Sequence, residues 1–224
     1  MTDRSLDVFA FKGAVFDLDG TLVDSAAVWK NIDIRFFRRR GMDLPEDYAK
    51  NVSALDLRAA AEYTRTRFGF SDTPEQMIAE WSDLALYEYS HNVKALPGAG
   101  ALLKGLRSRG VRLALATASS EPLYAAALRN NGLYELFDAF AVTGEVTRGK
   151  GFPDVYLLAA ERLGLSPSDC VVFEDIIEGI RGAKAGGFRT VAVLSGAFHD
   201  DVCLLESEAD LAVKDLSHFS EVKV

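Results

Sequence analysis

Residues Lys12 to Thr21 (KGAVFDLDGT) restrict the folds open to this chain more than any other stretch. A short apolar run with β-branched and aromatic side chains reads as a buried strand. A parallel strand covered on both faces stays apolar along its length. This one stops abruptly at Asp17-Leu18-Asp19-Gly20-Thr21. A turn would account for Asp and Gly singly, but the whole string directly after a strand asks for more. In open α/β sheets, ligands bind beyond the C-terminal strand ends. Asp17 and Asp19 are two residues apart and would share a face in extended backbone. Past the strand end the chain turns, and the pair can address opposite sides of one reacting group. One carboxylate can attack as a nucleophile while the other handles the leaving group's proton. The same oxygens suit Mg²⁺, and Gly20 permits a tight turn.

The second half of the chain supplies a sheet for this strand. From Val111 onward the pattern alternates: strands over Val111–Ala116, Ala139–Val142, Cys170–Phe173, Thr190–Leu194 and Asp210–Val213, with helices over Glu121–Asn131, Pro153–Leu163 and Glu178–Ala185. A further helix, Ala99–Arg109, precedes them and stops at Gly110. Such alternation predicts an α/β fold with a doubly wound parallel sheet.

Between Ser25 and Val93 no strand is evident, which predicts a helical insert. Val28, Trp29, Ile32, Phe36 and Phe37 recur at helical spacing within a helix from Asp24 to Arg40. Arg38, Arg39 and Arg40 read as its solvated, dipole-complementing end rather than as a phosphate patch. A second helix runs from Ala54 to Phe68, and a third to about Asn92, capped by Thr73 with Pro74 at its first position. Trp81, Tyr87 and Tyr89 read as bundle core rather than as the lining of a substrate cleft. Val23–Ala26 and Lys94–Gly100, with the turn signal Pro97-Gly98, are the linkers. The expected division is therefore 1–24 with 94–224 for the α/β core and 25–93 for the insert.

Three more strand ends carry chemistry. Val111–Ala116 runs into Thr117-Ala118-Ser119-Ser120, where a hydroxyl and backbone amides ahead of a helix can bind phosphate. Ser119 or Ser120 can equally cap that helix. Lys150 lies between Gly149 and Gly151, just before Pro153 opens a helix. It reads either as a surface lysine or as a cation that neutralises a phosphoryl group and keeps a nucleophilic carboxylate ionised. Cys170–Phe173 runs straight into Glu174-Asp175, a second buried strand ended by acids.

In this order the motifs resemble those of the haloacid dehalogenase superfamily, from about Phe11 to Val213, in the phosphatase and β-phosphoglucomutase-like branch with a helical cap. The resemblance implies that Asp17 is the nucleophile forming an aspartyl-phosphate and that Asp19 is the general acid/base. Dehalogenase members lack this second acid. Thr117 and Lys150, with backbone amides near Leu18 and Ala118, would bind the phosphoryl oxygens. Mg²⁺ would be held by Asp17, the Asp19 backbone carbonyl, Asp175 and Glu174, the last directly or through water. Family members usually carry Ser after the acid pair; here Ile176 stands there. In the mutases a His in the first helix of the cap handles a proton, and an Arg faces the distal phosphate. The corresponding positions here are Trp29 and Ala54, with Arg58 one helical turn on. An indole offers only an N–H donor, so the expectation is hydrolysis of a small phosphate monoester, a sugar phosphate or phosphoglycolate-like compound. A phosphomutase, an inorganic pyrophosphatase on the same core, a receiver-type signalling domain and a non-catalytic relic are the alternatives. Receiver domains are usually shorter, and nothing in them needs the insert or the Asp17-x-Asp19 pair.

Composition agrees with this reading. The 224 residues are 49% hydrophobic, enough for a sizeable core, and the formal net charge is −8 with no long basic run. Neither nucleic acid nor an acidic membrane is an expected partner; the expected partner is a small phosphorylated metabolite. Met1–Asp7 has no apolar signal-peptide region, and no apolar run reaches the roughly 18 residues of a membrane span. Cys170 and Cys203 lack metal-site spacing and read as buried or partly buried free thiols. A cytoplasmic protein is expected. The sequence does not encode a readable oligomeric state, and a monomer is compatible with it.

Overall fold

The computed structural model describes residues 11–52, 55, 57–196 and 201–219. The chain divides into two compact units, Met1–Ala26 with Val93–Val224, and Ala27–Asn92. In chain order the elements are β1 (Gly13–Phe16), β2 (Val23–Asp24), α1 (Val28–Arg39), α2 (Tyr48–Val52), α3 (Leu57–Phe68), α4 (Pro74–His91), β3 (Lys94–Ala95), α5 (Ala99–Ser108), β4 (Arg112–Thr117), α6 (Glu121–Asn130), β5 (Ala139–Val142), α7 (Asp154–Leu163), β6 (Cys170–Glu174), α8 (Ile177–Ala185), β7 (Arg189–Val193), α9 (Val202–Glu208) and β8 (Leu211–Val213).

In the first unit six strands form one sheet in the order β5-β4-β1-β6-β7-β8, and every pairing in it is parallel. The order reverses between β1 and β6, the place where such sheets open a crevice at their C-terminal ends. The strands are apolar because helices cover both faces. On one side Tyr156, Ala159 and Leu163 of α7 pack with Val15, Ala114 and Val172. On another, Ile177 and Ile180 of α8 pack with Ala192 and Leu205. Phe16 and Phe173, paired across β1 and β6, are fully buried and stack with centroids 4.4 Å apart. The two linkers are not loose: β2 and β3 form an antiparallel ribbon. Asn131 fastens it, donating to the Val93 carbonyl (3.1 Å) and accepting from the Ala95 amide (2.8 Å).

The second unit is helical. Phe36, Phe37, Tyr48, Phe68, Phe70 and Trp81 form its aromatic centre, Phe37 meeting Tyr48 edge-on at 4.8 Å. The α1 helix begins at Val28, not Asp24, because Asp24 is in the ribbon. Trp29 departs from the expected apolar face and is 55% exposed. Tyr87 also departs from the expected core: it is exposed, stacks on His91, and carries the Arg35 guanidinium 4.5 Å above its ring. Trp81 and Tyr89 are buried. Arg40 is not a solvated helix end. Its guanidinium pairs with Glu80 (2.8 Å) and Asp72 (3.2 Å) and lies 3.8 Å over the Phe36 ring, because burying its stem covers aromatic surface. Cys170 is buried, whereas Cys203 is exposed on α9, a short helix whose only buried residue is Leu205. Among the described residues, no helix is long and apolar enough to cross a membrane.

Candidate active site

Asp17 follows β1 directly, its amide donating to the Phe173 carbonyl of β6 (3.0 Å). Its carboxylate, 4% exposed, is paired with the Lys150 ammonium. Lys150 also holds Glu174 Oε1 at 2.5 Å, and the Tyr156 hydroxyl donates to that oxygen at 2.9 Å. The other Glu174 oxygen, Oε2, accepts from the Asp175 and Ile176 amides (3.0 and 3.3 Å). Glu174 is completely buried and is held by four donors. Asp175, 5% exposed, accepts from the Thr21 hydroxyl (3.0 Å).

The surroundings of Asp19 are built differently. The Asp19 carboxylate accepts from the Ser119 hydroxyl at 2.7 Å, while the Ser119 amide donates to the Thr117 hydroxyl at 3.0 Å. Thr117, at the end of β4, is fully buried. Ser119 is thus tied to Asp19, and Ser120, at the cap position of α6, makes no side-chain cap. Leu18 is buried, so only its backbone can meet a ligand, and Ala118 is exposed. The site brings Asp17, Lys150 and Glu174 into direct contact, and joins Asp19 to Thr117 through Ser119. Ala54, the position compared with the mutase cation, lies outside the described residues. Arg58 is paired with Glu75 (2.8 Å) and Glu62 (3.5 Å) within the helical unit.

Close packing leaves no room for larger residues at two glycines. Gly20 has φ +83°, and a Cβ there would lie 2.1 Å from Asp175 Oδ2. A Cβ on Gly179 of α8 would lie 2.5 Å from the Glu174 carboxyl carbon and 2.8 Å from the Tyr156 hydroxyl. Both glycines let backbone approach the acids.

Burial pushes the Asp17 carboxyl well above its ordinary range; Lys150 opposes the rise, and Glu174, Asp175 and Asp19 add to it. Burial and Glu174 push Asp175 up to about 7 against Lys150 and the Thr21 hydrogen bond. Burial works against the Lys150 ammonium, but Asp17 and Glu174 outweigh it and raise its pKa. Asp17, Glu174 and Asp175 each offer a carboxylate oxygen, all within 4.8 Å of one another. Three buried acids around one buried ammonium are short of positive charge. An all-oxygen donor set with that deficit fits a hard divalent cation.

Sequence reasoning named Asp17, Asp19, Thr117, Lys150, Glu174 and Asp175 but missed three partners. Thr21 stood inside the first motif without a role, Ser119 was one of two candidate helix caps, and Tyr156, within the helix expected over Pro153–Leu163, was not singled out.

The sequence pattern of the haloacid dehalogenase-like hydrolases matches residues 11–187. Hexitol phosphatase A of Escherichia coli is 35% identical over 214 residues, 95% of this chain and 94% of that protein. A phosphorylated carbohydrates phosphatase of Thermotoga maritima is 28% identical, over 91% of this chain and 94% of that protein. The crystal structure of a putative β-phosphoglucomutase from Thermotoga maritima superimposes with a TM-score of 0.83 at 27% identity, over 95% of this chain and 98% of that one. Strand-end acids, parallel sheet and sequence agree: the chain is an enzyme of the haloacid dehalogenase-like hydrolase family, in its phosphatase branch.

Proposed function

We propose that this enzyme is a Mg²⁺-dependent phosphatase that hydrolyses a small phosphate monoester, a sugar phosphate or phosphoglycolate-like compound, through an aspartyl-phosphate on Asp17. The observation that carries this reading is the pairing of Asp17 with Lys150, two residues from an Asp19 held separately by Ser119. The Lys150 ammonium opposes the burial that pushes the Asp17 carboxyl up, and so favours its ionised, nucleophilic form, while Asp19 keeps a different set of neighbours suited to proton transfer. Asp17 attacks phosphorus in line with the leaving oxygen. Asp19 protonates the leaving alkoxide, then takes a proton from the water that cleaves the acyl phosphate. Thr117, Lys150 and the backbone amides near Leu18 and Ala118 receive the phosphoryl oxygens. Positioning and charge neutralisation of this kind provide most of the catalysis in phosphoryl transfer.

Asp17, Asp175 and the Asp19 carbonyl would hold Mg²⁺, with Glu174 behind them. When bound, the cation supplies charge neutralisation for the transferring group. The residues support a positioning role for Glu174, because its oxygens already accept from Lys150, Tyr156 and two amides. In this reading residues 25–93 act as the family's cap and select the leaving group, and the enzyme is cytoplasmic.

The mutase reading is favoured by the solved relative named a putative β-phosphoglucomutase. Trp29, whose indole cannot accept a proton, and Arg58, already engaged by Glu75, favour hydrolysis. The test is incubation with β-glucose 1-phosphate, Mg²⁺ and a catalytic amount of the 1,6-bisphosphate, beside a panel of small phosphomonoesters and pyrophosphate. The expected result is free phosphate from at least one monoester and little glucose 6-phosphate. Efficient isomerisation with little phosphate released would establish the mutase instead.

A further inference from the structure

Lys150 reaches the buried acids from the loop that leads into α7. Glycine stands on either side of it, so its neighbours bring no side chains that could pack and hold it. The loop is fastened elsewhere. Arg148 makes a bidentate pair with Asp154, the first residue of α7: Nε donates to Oδ2 at 3.0 Å and Nη2 to Oδ1 at 2.6 Å. A fork of this kind fixes direction as well as distance. The same guanidinium lies 4.4 Å over the Phe152 ring, and the Phe152 amide donates to the Gly149 carbonyl at 3.0 Å. Beneath the loop lies Gly182 of α8. A Cβ there would come 2.0 Å from the Lys150 carbonyl oxygen, 2.9 Å from that of Phe152 and 3.1 Å from the Gly151 carbonyl carbon. Helix and loop backbones meet this closely because that side chain is absent.

We propose that Arg148, Asp154 and Gly182 are positioning residues that aim the Lys150 ammonium at Asp17. The Arg148–Asp154 pair closes the neck of the loop and Gly182 sets its underside, while the Lys150 side chain projects inward to Asp17 and to Glu174 (2.5 Å to Oε1). Arg148 and Asp154 bond to each other rather than to the acids, so their effect passes through the main chain that carries Lys150. The Arg148 side chain is half exposed, and an exposed ion pair adds little to the stability of a fold. A cation displaced by an ångström, by contrast, is costly in a reaction that works by positioning. Variants of the pair should therefore keep the fold and lose rate. The inference rests on the reading of Lys150 as the cation of the phosphoryl-transfer site and extends it to residues outside that site.

The test compares the native full-length chain with Arg148→Ala, Asp154→Ala, the double variant and Gly182→Ala. Its first arm needs neither metal nor turnover. Lysines are reductively methylated with formaldehyde and dimethylamine–borane and followed residue by residue by mass spectrometry, with exposed Lys104 as the internal standard. In the native protein Lys150 should react more slowly than Lys104. Each single variant should quicken Lys150 roughly fivefold with Lys104 unchanged. Combining Arg148→Ala with Asp154→Ala should add little to either change, because each breaks the same pair. The second arm reads turnover of a small phosphomonoester, where Arg148→Ala should lower kcat roughly fivefold and leave KM within about twofold. A native rate of Lys150 methylation in both Arg148→Ala and Asp154→Ala, additive effects in the double variant, or an unchanged kcat with Lys150 opened would each overturn the proposal. The Arg148 and Asp154 variants decide it even where Gly182→Ala fails to fold. If no phosphomonoester were turned over, the phosphatase reading would fall while the methylation arm still decided what holds Lys150, so the two fail separately.

Discussion

Glu174 and Asp175 are adjacent acids with different work. Glu174 turns inward, accepts from Lys150, Tyr156 and two backbone amides, and thereby fixes the ammonium beside Asp17. Asp175 has a single side-chain donor, the Thr21 hydroxyl, and burial with Glu174 pushes its carboxyl up to about 7, so a cation there would be stabilising. Asp175→Ala should therefore raise the Mg²⁺ concentration needed for half-maximal activity by roughly tenfold or more. A metal titration of phosphate release checks this; an unchanged midpoint would remove Asp175 from the metal site. The acids were legible in the sequence because charge at the end of an apolar strand is conspicuous. Their hydroxyl partners were not. Thr21, Ser119 and Tyr156 occupy positions where a turn, a cap and a core residue are the ordinary uses of those side chains, and only the tertiary fold gives them an acid to meet.

Among the elements, α4 is the one whose start the sequence states most completely. Thr73 accepts from the Gln76 amide (3.2 Å), the Gln76 side chain accepts from the Thr73 amide (2.8 Å), and Pro74 follows. Such a box satisfies two donors that a helix end leaves without partners. Thr73→Ala should destabilise the helical unit by about 1 kcal/mol. Hydrogen exchange should quicken in the first turns of α4 while amides of β1 and β6 keep their protection; equal loss in both would show that the cap does not act locally. The neighbouring α1 was less legible. Its periodicity is correct for Val28, Ile32, Phe36 and Phe37, but periodicity does not show that Asp24 pairs into a ribbon or that Trp29 is exposed. Tyr87 was misread for a similar reason: helical spacing puts it near the core stripe, while Arg35 and His91 give its ring a place at the surface.

On the scale of the whole molecule, the sheet was legible because strands alternating with helices leave few topologies once crossovers are right-handed. The reversal of strand order between β1 and β6 was not written in any single segment, yet it is what places Asp17 beside Glu174. The nucleophile role of Asp17 is the claim on which the proposed activity rests. Asp17→Asn keeps the size of the side chain and removes a buried charge that burial disfavours, so the fold should survive. The decisive measurement is Mg²⁺-dependent phosphate release from a small phosphomonoester by native protein and Asp17→Asn, with circular dichroism and thermal melting on the same samples. The account predicts a variant that melts no lower than the native protein and has lost on the order of a thousandfold or more in turnover. A folded Asp17→Asn that releases phosphate at a rate near the native one would contradict it.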